Sequence, residues 1–294
     1  MRFDFLDTPT PPPEFHPAHS LGGFETLEKA ESDRRALVSL LRGGTAAQQQ
    51  LAEIISPCQP DARCGSAACR VCGRRFRIKF AGHLAELIAT DEDDWFAVSL
   101  VPGDCDCMYP LGRLCQFNPN HFKDRVRKQI ERSELAEAAL VLGIDFAVQI
   151  FSKPNKAPLW RPHVYMLIRG HSTKAIRAAL DPYHPPGPRT PRPIHSRMID
   201  KKTILQVTSY AFKCKFNIRS QICGVDRNRD THKRPLEPIH LLEIAPLLHQ
   251  WGFGGRYLLR GFCRTSEQNG KTTLHIKNPW SEFIRAATSE TEPA

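Results

Sequence analysis

The sequence predicts an α+β protein, with an antiparallel sheet flanked by helices and a cysteine-rich segment before it. Segments with the period-two apolar alternation of half-buried strands are interleaved with segments of helical spacing. Two strand segments, Asp145 to Phe151 and Pro162 to Ile168, are separated by a short polar loop, which favours an antiparallel hairpin. No series of βαβ units is evident, and the composition (24% charged, 41% apolar) is that of an ordinary globular protein.

The N-terminal part of the chain divides into a tail and a helical segment. Residues 1–22 are expected to be a disordered tail, because a run of prolines lacks backbone donors and resists both helix and sheet. The segment at residues 23–80 combines helices with a zinc knuckle. Its apolar spacing predicts an amphipathic helix over residues 24–41, and Thr45 is a candidate N-cap for a second helix that ends at Ile55.

Residues 90–265 are predicted to form the larger domain, and residues 280–294 a frayed tail. Besides the hairpin, the pattern predicts a strand over residues 95–101, a helix over 119–142 with Asn118 as its N-cap, a helix over 171–180, a strand over 194–199, and helices over 202–216 and 239–251. Because helices alternate with strands in this domain, we expect helices to cover the sheet.

Four cysteines with the spacing of metal ligands follow the second predicted helix. Cys58, Cys64, Cys69 and Cys72 have the spacing C-x5-C-x4-C-x2-C, and Gly73 relieves the backbone after the last of them. Four thiolates favour zinc, which takes sulfur ligands in a tetrahedron and needs no redox partner. The sequence therefore predicts one structural Zn²⁺. The alternative is four reduced thiols in a small core.

Three further cysteines, Cys105, Cys107 and Cys115, form a looser group. One of them could donate a ligand to the same ion, or the group could be incidental. The chain has ten cysteines and no apolar signal-peptide core at its N-terminus, which together indicate a reducing compartment. It also has no apolar run of about eighteen residues, so we expect a cytoplasmic protein without a membrane span.

The chain is basic, and the excess charge is concentrated in one region. It has 41 Lys and Arg against 31 Asp and Glu, which gives a net charge of +10. Residues 151–235 hold 18 Lys or Arg and four acids. Concentrated positive charge favours a polyanionic partner, nucleic acid first. The alternative is a solvated surface that happens to be basic.

A strand and a helix in this basic region carry the candidate chemistry. His163 and Tyr165 stand two apart on a strand and should project from the same face. Tyr210 and Lys213 stand three apart in a predicted helix and should lie side by side. A histidine-bearing strand that faces such a helix suits phosphoryl transfer through a tyrosine. The alternative is that His163 is a core histidine and Tyr210 a packed aromatic.

The strand around His163, the Tyr210-x-x-Lys213 helix and the upstream cysteines together resemble rolling-circle replication initiators and related HUH endonucleases of plasmids, phages and transposons. The resemblance covers the chain from about Cys58 to Trp251 in order and spacing. It implies an HUH-type palm in which a His-hydrophobic-His strand holds Mg²⁺ or Mn²⁺. In such enzymes a tyrosine attacks the scissile phosphate, which leaves a 5′-phosphotyrosine and a free 3′-hydroxyl.

The resemblance assigns roles to individual residues of this chain. His163 matches the first metal histidine, Tyr210 the nucleophile and Lys213 the lysine that accompanies it. The third, polar ligand of the ion would be Gln149 or Asp145 on the preceding strand. The predicted catalytic site therefore consists of a tyrosine, a lysine and a divalent-metal site.

Tyr165 departs from the pattern of these enzymes, because it stands where the second metal histidine belongs. A neutral phenol is a poor ligand for a hard divalent ion. His171, His184 or His195 could supply the missing imidazole, and the sequence does not place any of them. This departure makes the divalent-metal site the weakest part of the resemblance.

The resemblance also implies a DNA partner, single-stranded or hairpin. The candidate DNA contacts are basic side chains, namely Arg74, Arg75, Arg77, Lys79, Arg161, Lys201, Lys202 and Lys215. The first four directly follow the cysteines and would present a basic strip. We therefore expect a replication-initiator-like protein that nicks single-stranded DNA through a tyrosine. The alternatives are a non-catalytic, zinc-containing DNA-binding regulator and an RNA-binding protein.

Overall fold

The computed structural model describes residues 25–59, 62–103, 107–151, 157–187, 190–221, 231–266 and 272–276 of the chain. The tails predicted at residues 1–22 and 280–294 lie outside the described residues. Where the chain is described, no helix is both long enough and apolar enough to cross a membrane.

The described chain alternates between helices and strands throughout its length. The helices are α1 (Leu27–Arg42), α2 (Ala46–Ile55), α3 (Arg70–Thr90), α4 (Pro119–Glu131), α5 (Thr173–Leu180), α6 (Ile204–Ala211) and α7 (Pro238–Arg256). The strands are β1 (Trp95–Leu100), β2 (Tyr109–Pro110), β3 (Leu140–Ile150), β4 (Leu159–Arg169), β5 (Ile194–Met198), β6 (Asn217–Gln221), β7 (Thr231–Pro235), β8 (Tyr257–Arg260), β9 (Phe262–Ser266) and β10 (Thr272–Ile276).

The main sheet has eight strands, with the path β5-β1-β4-β3-β6-β7 and with β2 and β8 beside β4 and β3. The predicted hairpin is confirmed, since β3 and β4 pair antiparallel along most of their length. The sheet is mixed rather than antiparallel, because β6 runs parallel to β3. The structure thus confirms the α+β class and the helices that flank the sheet.

Both predicted N-terminal helices are confirmed, and their ends follow from local sequence. The Thr26 hydroxyl accepts a hydrogen bond from the Lys29 amide at 3.2 Å at the start of α1, which ends before Gly43. Thr45 and Gln48 form a reciprocal capping box at the start of α2. Each cap satisfies backbone donors that the first turn of a helix leaves open.

Two other predicted helices are shorter than their sequence patterns suggest. The helix expected over residues 119–142 ends at Glu131, and β3 begins at Leu140. The helix expected over residues 202–216 ends at Ala211. In the first place, apolar residues that fit a helical period belong instead to β3 at the centre of the sheet, where nearly every side chain is buried and the pattern loses its alternation. In the second place, residues 212–216 connect α6 to β6, and Phe212, Cys214 and Phe216 are buried in this connection.

The sequence analysis predicts no helix over residues 70–90, where the structure has α3. This helix packs against both α1 and α6, so most of its circumference is buried and it lacks a polar face. Phe76 of α3 stacks on Phe253 at a centroid distance of 4.5 Å. The domain boundary predicted at residue 80 falls inside α3, and the buried apolar residues from Ala30 to Phe262 form one continuous cluster.

The two faces of the sheet differ in character. One face is apolar and lies against α4, α5 and α7, with Phe146 stacked on Trp251 at a centroid distance of 5.7 Å. The other face carries the polar residues of the candidate site and lies against α6, behind which α3 packs. A side chain at position 143 would collide with the Ala211 carbonyl oxygen, so Gly143 allows the end of α6 to lie directly on β3.

Candidate functional site

The four predicted zinc ligands converge in space. The sulfur atoms of Cys58, Cys64, Cys69 and Cys72 all lie within 4.8 Å of one another. The Sγ atoms of Cys58 and Cys72 are 3.5 Å apart, those of Cys64 and Cys72 3.6 Å, and those of Cys58 and Cys69 3.7 Å. Thiolates about 2.3 Å from a tetrahedral zinc ion lie about 3.8 Å from each other. The cluster therefore has the spacing of a four-sulfur metal site.

Local backbone structure brings these cysteines together. Cys58 follows the end of α2, and Cys64 precedes Gly65, whose positive φ of 67° turns the chain back. Cys69 is the N-cap of α3, and Cys72 lies in its first turn. The exposed N–H groups of a helix N-terminus stabilise negative charge, so two ligands sit where thiolates are favoured.

The four thiols of the cluster shift the pKa values of one another. Hydrogen bonds from Cys69 and Cys72 lower the pKa of Cys64 to about 2. The same contact with Cys64 raises the pKa of Cys69 to about 12. One thiolate is thus stabilised by its neighbours, which keep their protons. Four thiolates together require a cation, and a divalent ion with affinity for sulfur fits this donor set.

Cys107 and Cys115 of the looser cysteine group do not join this cluster. The Cys107 sulfur accepts a hydrogen bond from Arg125 Nη2 at 2.7 Å, and Cys115 is exposed. Cys105 lies outside the described residues. Over the described ranges, the four-cysteine cluster is the one group of three or more His, Cys, Asp or Glu side chains whose ligand atoms converge.

The predicted strand and helix meet in a buried charged triad. His163 on β4 lies opposite Asp145 on β3, and its Nε2 is 2.7 Å from Asp145 Oδ2. The Lys213 ammonium pairs with the same carboxylate oxygen. The three residues are 5%, 3% and 8% exposed, respectively. The structure thus brings together three of the predicted catalytic-site residues.

The Lys213 side chain reaches Asp145 because α6 ends early. The Lys213 amide donates to the Tyr210 carbonyl at 3.3 Å, which continues the last turn of α6 by one tight turn. This turn places Lys213 Nζ 4.8 Å from the centroid of the Tyr210 ring, in a cation–π contact. The predicted adjacency of Tyr210 and Lys213 is therefore found, although Lys213 lies beyond the helix.

The charges of the triad are satisfied within the chain. Burial alone would raise the pKa of Asp145, but His163 and Lys213 outweigh it and lower the pKa well below its usual range. The second ring nitrogen of His163, Nδ1, is 3.3 Å from the Arg161 carbonyl oxygen. Nδ1 of His163 thus faces a backbone carbonyl oxygen, and the contact of Nε2 with Asp145 Oδ2 is close but lacks hydrogen-bond geometry.

Two tyrosines extend this group towards solvent. The rings of Tyr165 and Tyr210 meet edge to face with centroids 4.8 Å apart, and both residues are partly exposed. The Arg197 guanidinium lies near the Tyr165 hydroxyl, on the same face of the sheet. Burial raises the pKa of Tyr165, against the opposing effect of Arg197, so the phenol stays protonated. Tyr165 therefore links Arg197 to Tyr210.

The other candidate metal ligands lie away from this group. Gln149 is on the same strand face as Asp145 but pairs with Leu159, and its amide donates to the Arg219 carbonyl at 3.4 Å. Its side chain therefore links β3 to β6. The structure does not bring Gln149 to His163.

None of the three alternative histidines is placed as a second ligand. His184 Nε2 is 3.0 Å from the Gln129 amide oxygen on α4, which packs with the helices of the apolar face. His195 is exposed on β5, two strands away from His163, and His171 follows the end of β4.

The predicted basic strip after the cysteines is not an exposed surface, and this part of the DNA-binding prediction is corrected. Arg74, Arg77 and Lys79 are buried in α3, and Arg75 is partly buried. Arg77 Nε donates to the Ser209 carbonyl oxygen at 3.0 Å, and its Nη1 pairs with a Glu25 carboxylate oxygen at 3.2 Å. The strip fixes α3 to α6 and to the start of α1.

The remaining predicted DNA contacts fall into two groups. Arg161 is buried and donates to the Pro102 carbonyl oxygen at 3.2 Å, so it is a structural residue. Lys215 forms an ion pair with Asp33 at 2.7 Å. Lys201 and Lys202 are exposed just before α6 and keep the exposure that a nucleic-acid contact requires.

Arg197 is not among the site residues predicted from the sequence. Its period-two spacing from His195 on a predicted strand was visible in the sequence. Its contact with Tyr165 depends on β5 pairing with β1 and β1 with β4, which no local pattern reveals.

Comparison with known proteins adds no relative. No protein-family model matches the chain, and no curated protein and no solved structure matches it. The assignment of function therefore depends on the cysteine cluster, the triad and the surface beside them.

Proposed function

We propose that this chain is a zinc-containing, nucleic-acid-binding protein of the replication-initiator type, in which the divalent-metal nicking centre has become a buried structural triad. Single-stranded or hairpin DNA is the proposed partner. The basic excess of residues 151–235 supports a polyanionic partner, as do the exposed side chains of Arg197, Lys201 and Lys202.

The proposed zinc site has a structural role. Cys58, Cys64, Cys69 and Cys72 would hold the ion and tie the loop after α2 to the first turn of α3. Since α3 packs on α6, this tie supports the helix that carries Tyr210. All four positions are filled by protein ligands, as in structural rather than catalytic zinc sites.

The observation that carries the proposal is the position of the Lys213 ammonium on Asp145 Oδ2, beside His163. A divalent ion that bound Asp145 and His163 would have to displace this ammonium or share a buried carboxylate with it. Like charges at such separations repel strongly where water is excluded. The chain thus supplies a cation of its own at the place where the resemblance expects Mg²⁺ or Mn²⁺.

A second candidate function is strand nicking by Tyr210, and one observation favours it. Tyr210 is partly exposed, and the Lys213 ammonium lies over its ring. In this candidate the Tyr210 oxygen bonds to phosphorus while the 3′ oxygen leaves as a free hydroxyl. The two candidates share the binding surface and differ in whether a covalent adduct forms.

A combined binding and adduct assay tests the proposal. We expect the purified protein to bind single-stranded and hairpin DNA, with affinity that falls steeply as salt rises, and to form no covalent adduct in Mg²⁺ or Mn²⁺. A DNA adduct that is stable in denaturing gels and absent in Tyr210→Phe would favour nicking. Tighter binding to RNA of the same sequence, or no binding to either, would contradict the proposed partner.

A further inference from the structure

The polar face of the sheet is open along its β5 edge. From the register, Tyr165 on β4, Ser99 on β1 and His195 on β5 stand in one row across the sheet. Ala97 and Arg197 stand in the adjacent row. α6 covers the β3–β4 part of this face, and His195 and Arg197 stay exposed beyond it.

Arg197 crosses one strand to reach the tyrosines. It stands on the same sheet face as Tyr165, on a strand that is separated from β4 by β1, and lies close enough for its charge to oppose the burial that raises the pKa of the Tyr165 hydroxyl. Tyr165 in turn contacts the ring of Tyr210. The exposed Arg197 guanidinium and the partly exposed phenols of Tyr165 and Tyr210 therefore form one group on the solvent side of the buried triad.

Arg197, Tyr165 and Tyr210 can donate further hydrogen bonds to a ligand. A guanidinium has several N–H donors in a planar fork and suits the oxygens of a phosphate. The Tyr165 hydroxyl, beside Arg197, can donate its O–H to a further acceptor, and no acceptor for it is found among the described residues. A second phenol O–H is present on Tyr210. Donors without matching acceptors are the chemistry of an anion site.

The surrounding charge has the sign that an anion requires. Lys201 and Lys202 are exposed just before α6, and His195 is exposed on β5 two residues before Arg197. Asp200 is the acid in this segment, and its Oδ1 accepts a hydrogen bond from the Lys202 amide at 2.9 Å, which caps the turn before α6. Asp145 lies buried behind Lys213.

We propose that Arg197, together with the hydroxyls of Tyr165 and Tyr210, binds one backbone phosphate of single-stranded DNA. The site rests on the proposed nucleic-acid function and assigns it a contact set that replaces the buried strip of α3. Tyr165, which departs from the histidine expected at its position, is then a phosphate-binding residue instead of a defective metal ligand.

The test is the binding of a fluorescent 20-nucleotide oligo-dT, followed by anisotropy over a range of salt concentrations. We expect Arg197→Ala to weaken binding by about tenfold, as loss of one charge-assisted hydrogen bond does, and to make the slope of log affinity against log salt less negative by about 0.7. Arg197→Lys should keep the slope and lose part of the affinity. Tyr165→Phe should weaken binding by about fivefold.

Arg132→Ala is the matched control, because Arg132 is an exposed arginine at the end of α4, among the helices of the apolar face. It should bind as the wild type does. Equal binding by Arg197→Ala and Arg132→Ala, with a wild type that binds, would overturn the phosphate site and leave the proposed function standing. A wild type that does not bind oligo-dT or hairpin DNA would overturn both. Matching melting temperatures of the variants would exclude unfolding as the cause.

Discussion

The cysteine cluster and the Asp145 triad are both built from metal-ligating side chains, yet they balance their charge in opposite ways. In the cluster, four sulfur atoms converge within 4.8 Å. In the triad, the carboxylate of Asp145 already has the ammonium of Lys213 and the ring of His163 as partners. The cluster could hold an ion from outside, whereas the triad already contains a cation of its own.

This difference teaches that the types of the ligands do not by themselves define a metal site. A buried anionic group requires a cation, and a lysine of the same chain can provide it as well as a metal can. The position of Lys213 is set by the close approach of α6 to Gly143. This difference between the two sites can be tested by removing the metal ligands of the cluster or the ammonium of the triad.

The largest expected effect is loss of the cluster. Changing Cys69 and Cys72 to Ser should abolish zinc binding and unfold the region around α3, because structural zinc contributes about 10–16 kcal/mol of apparent binding free energy in small zinc-finger peptides. Metal analysis and thermal melting measure the result. Cys115→Ser is the control, since Cys115 is exposed and outside the cluster. A zinc-free double variant that melts like the wild type would show that the cluster is only a group of packed thiols.

Removal of the Lys213 ammonium should have the next largest effect on stability. Lys213→Met leaves the Asp145 carboxylate buried without its ammonium, which typically costs about 3–5 kcal/mol of the free energy of unfolding. The double variant Lys213→Met with Asp145→Asn should recover part of that loss. Denaturant unfolding measures both.

Lys215→Met is the control for the lysine change. Lys215 also pairs with an aspartate, Asp33, at 2.7 Å, but its side chain is 38% exposed. A pair of this kind contributes about 1 kcal/mol or less. Equal destabilisation by the two lysine variants would mean that the triad has no special role in stability.

The cysteine cluster and the Asp145 triad should lose their contributions to stability at different pH values. The folded-state pKa of Asp145 is lowered, so its contribution to stability is present above the unfolded value of about 3.9 and is lost as pH falls below it. The difference in unfolding free energy between wild type and Asp145→Asn should therefore be constant from pH 7 to pH 5 and shrink below about pH 4. Zinc release should begin at higher pH, because thiolate ligands compete with protons. A difference that already shrinks between pH 7 and pH 5 would contradict the ion-paired triad.

Local patterns in the sequence predict the parts of the molecule that depend on neighbours in the chain. The N-cap of α2 and the spacing of the four cysteines are of this kind, and so is the hairpin that sets His163 against Asp145. The features that the sequence does not predict depend on contacts between residues far apart in the chain. The sequence places Arg77 in a basic strip, and only the structure shows its partner Ser209, 132 residues away. The position of Arg197 near Tyr165 likewise depends on the order of the strands β5, β1 and β4.

The central claim, that Lys213 takes the place of a divalent ion, is tested most directly by metal uptake. The purified wild type is equilibrated with Zn²⁺ and Mn²⁺, dialysed, and analysed for both metals. The account predicts about one zinc per chain and no manganese, with no manganese in Tyr165→His either, since restoring the imidazole does not remove the ammonium. About one manganese per wild-type chain, lost in His163→Ala, would contradict the account.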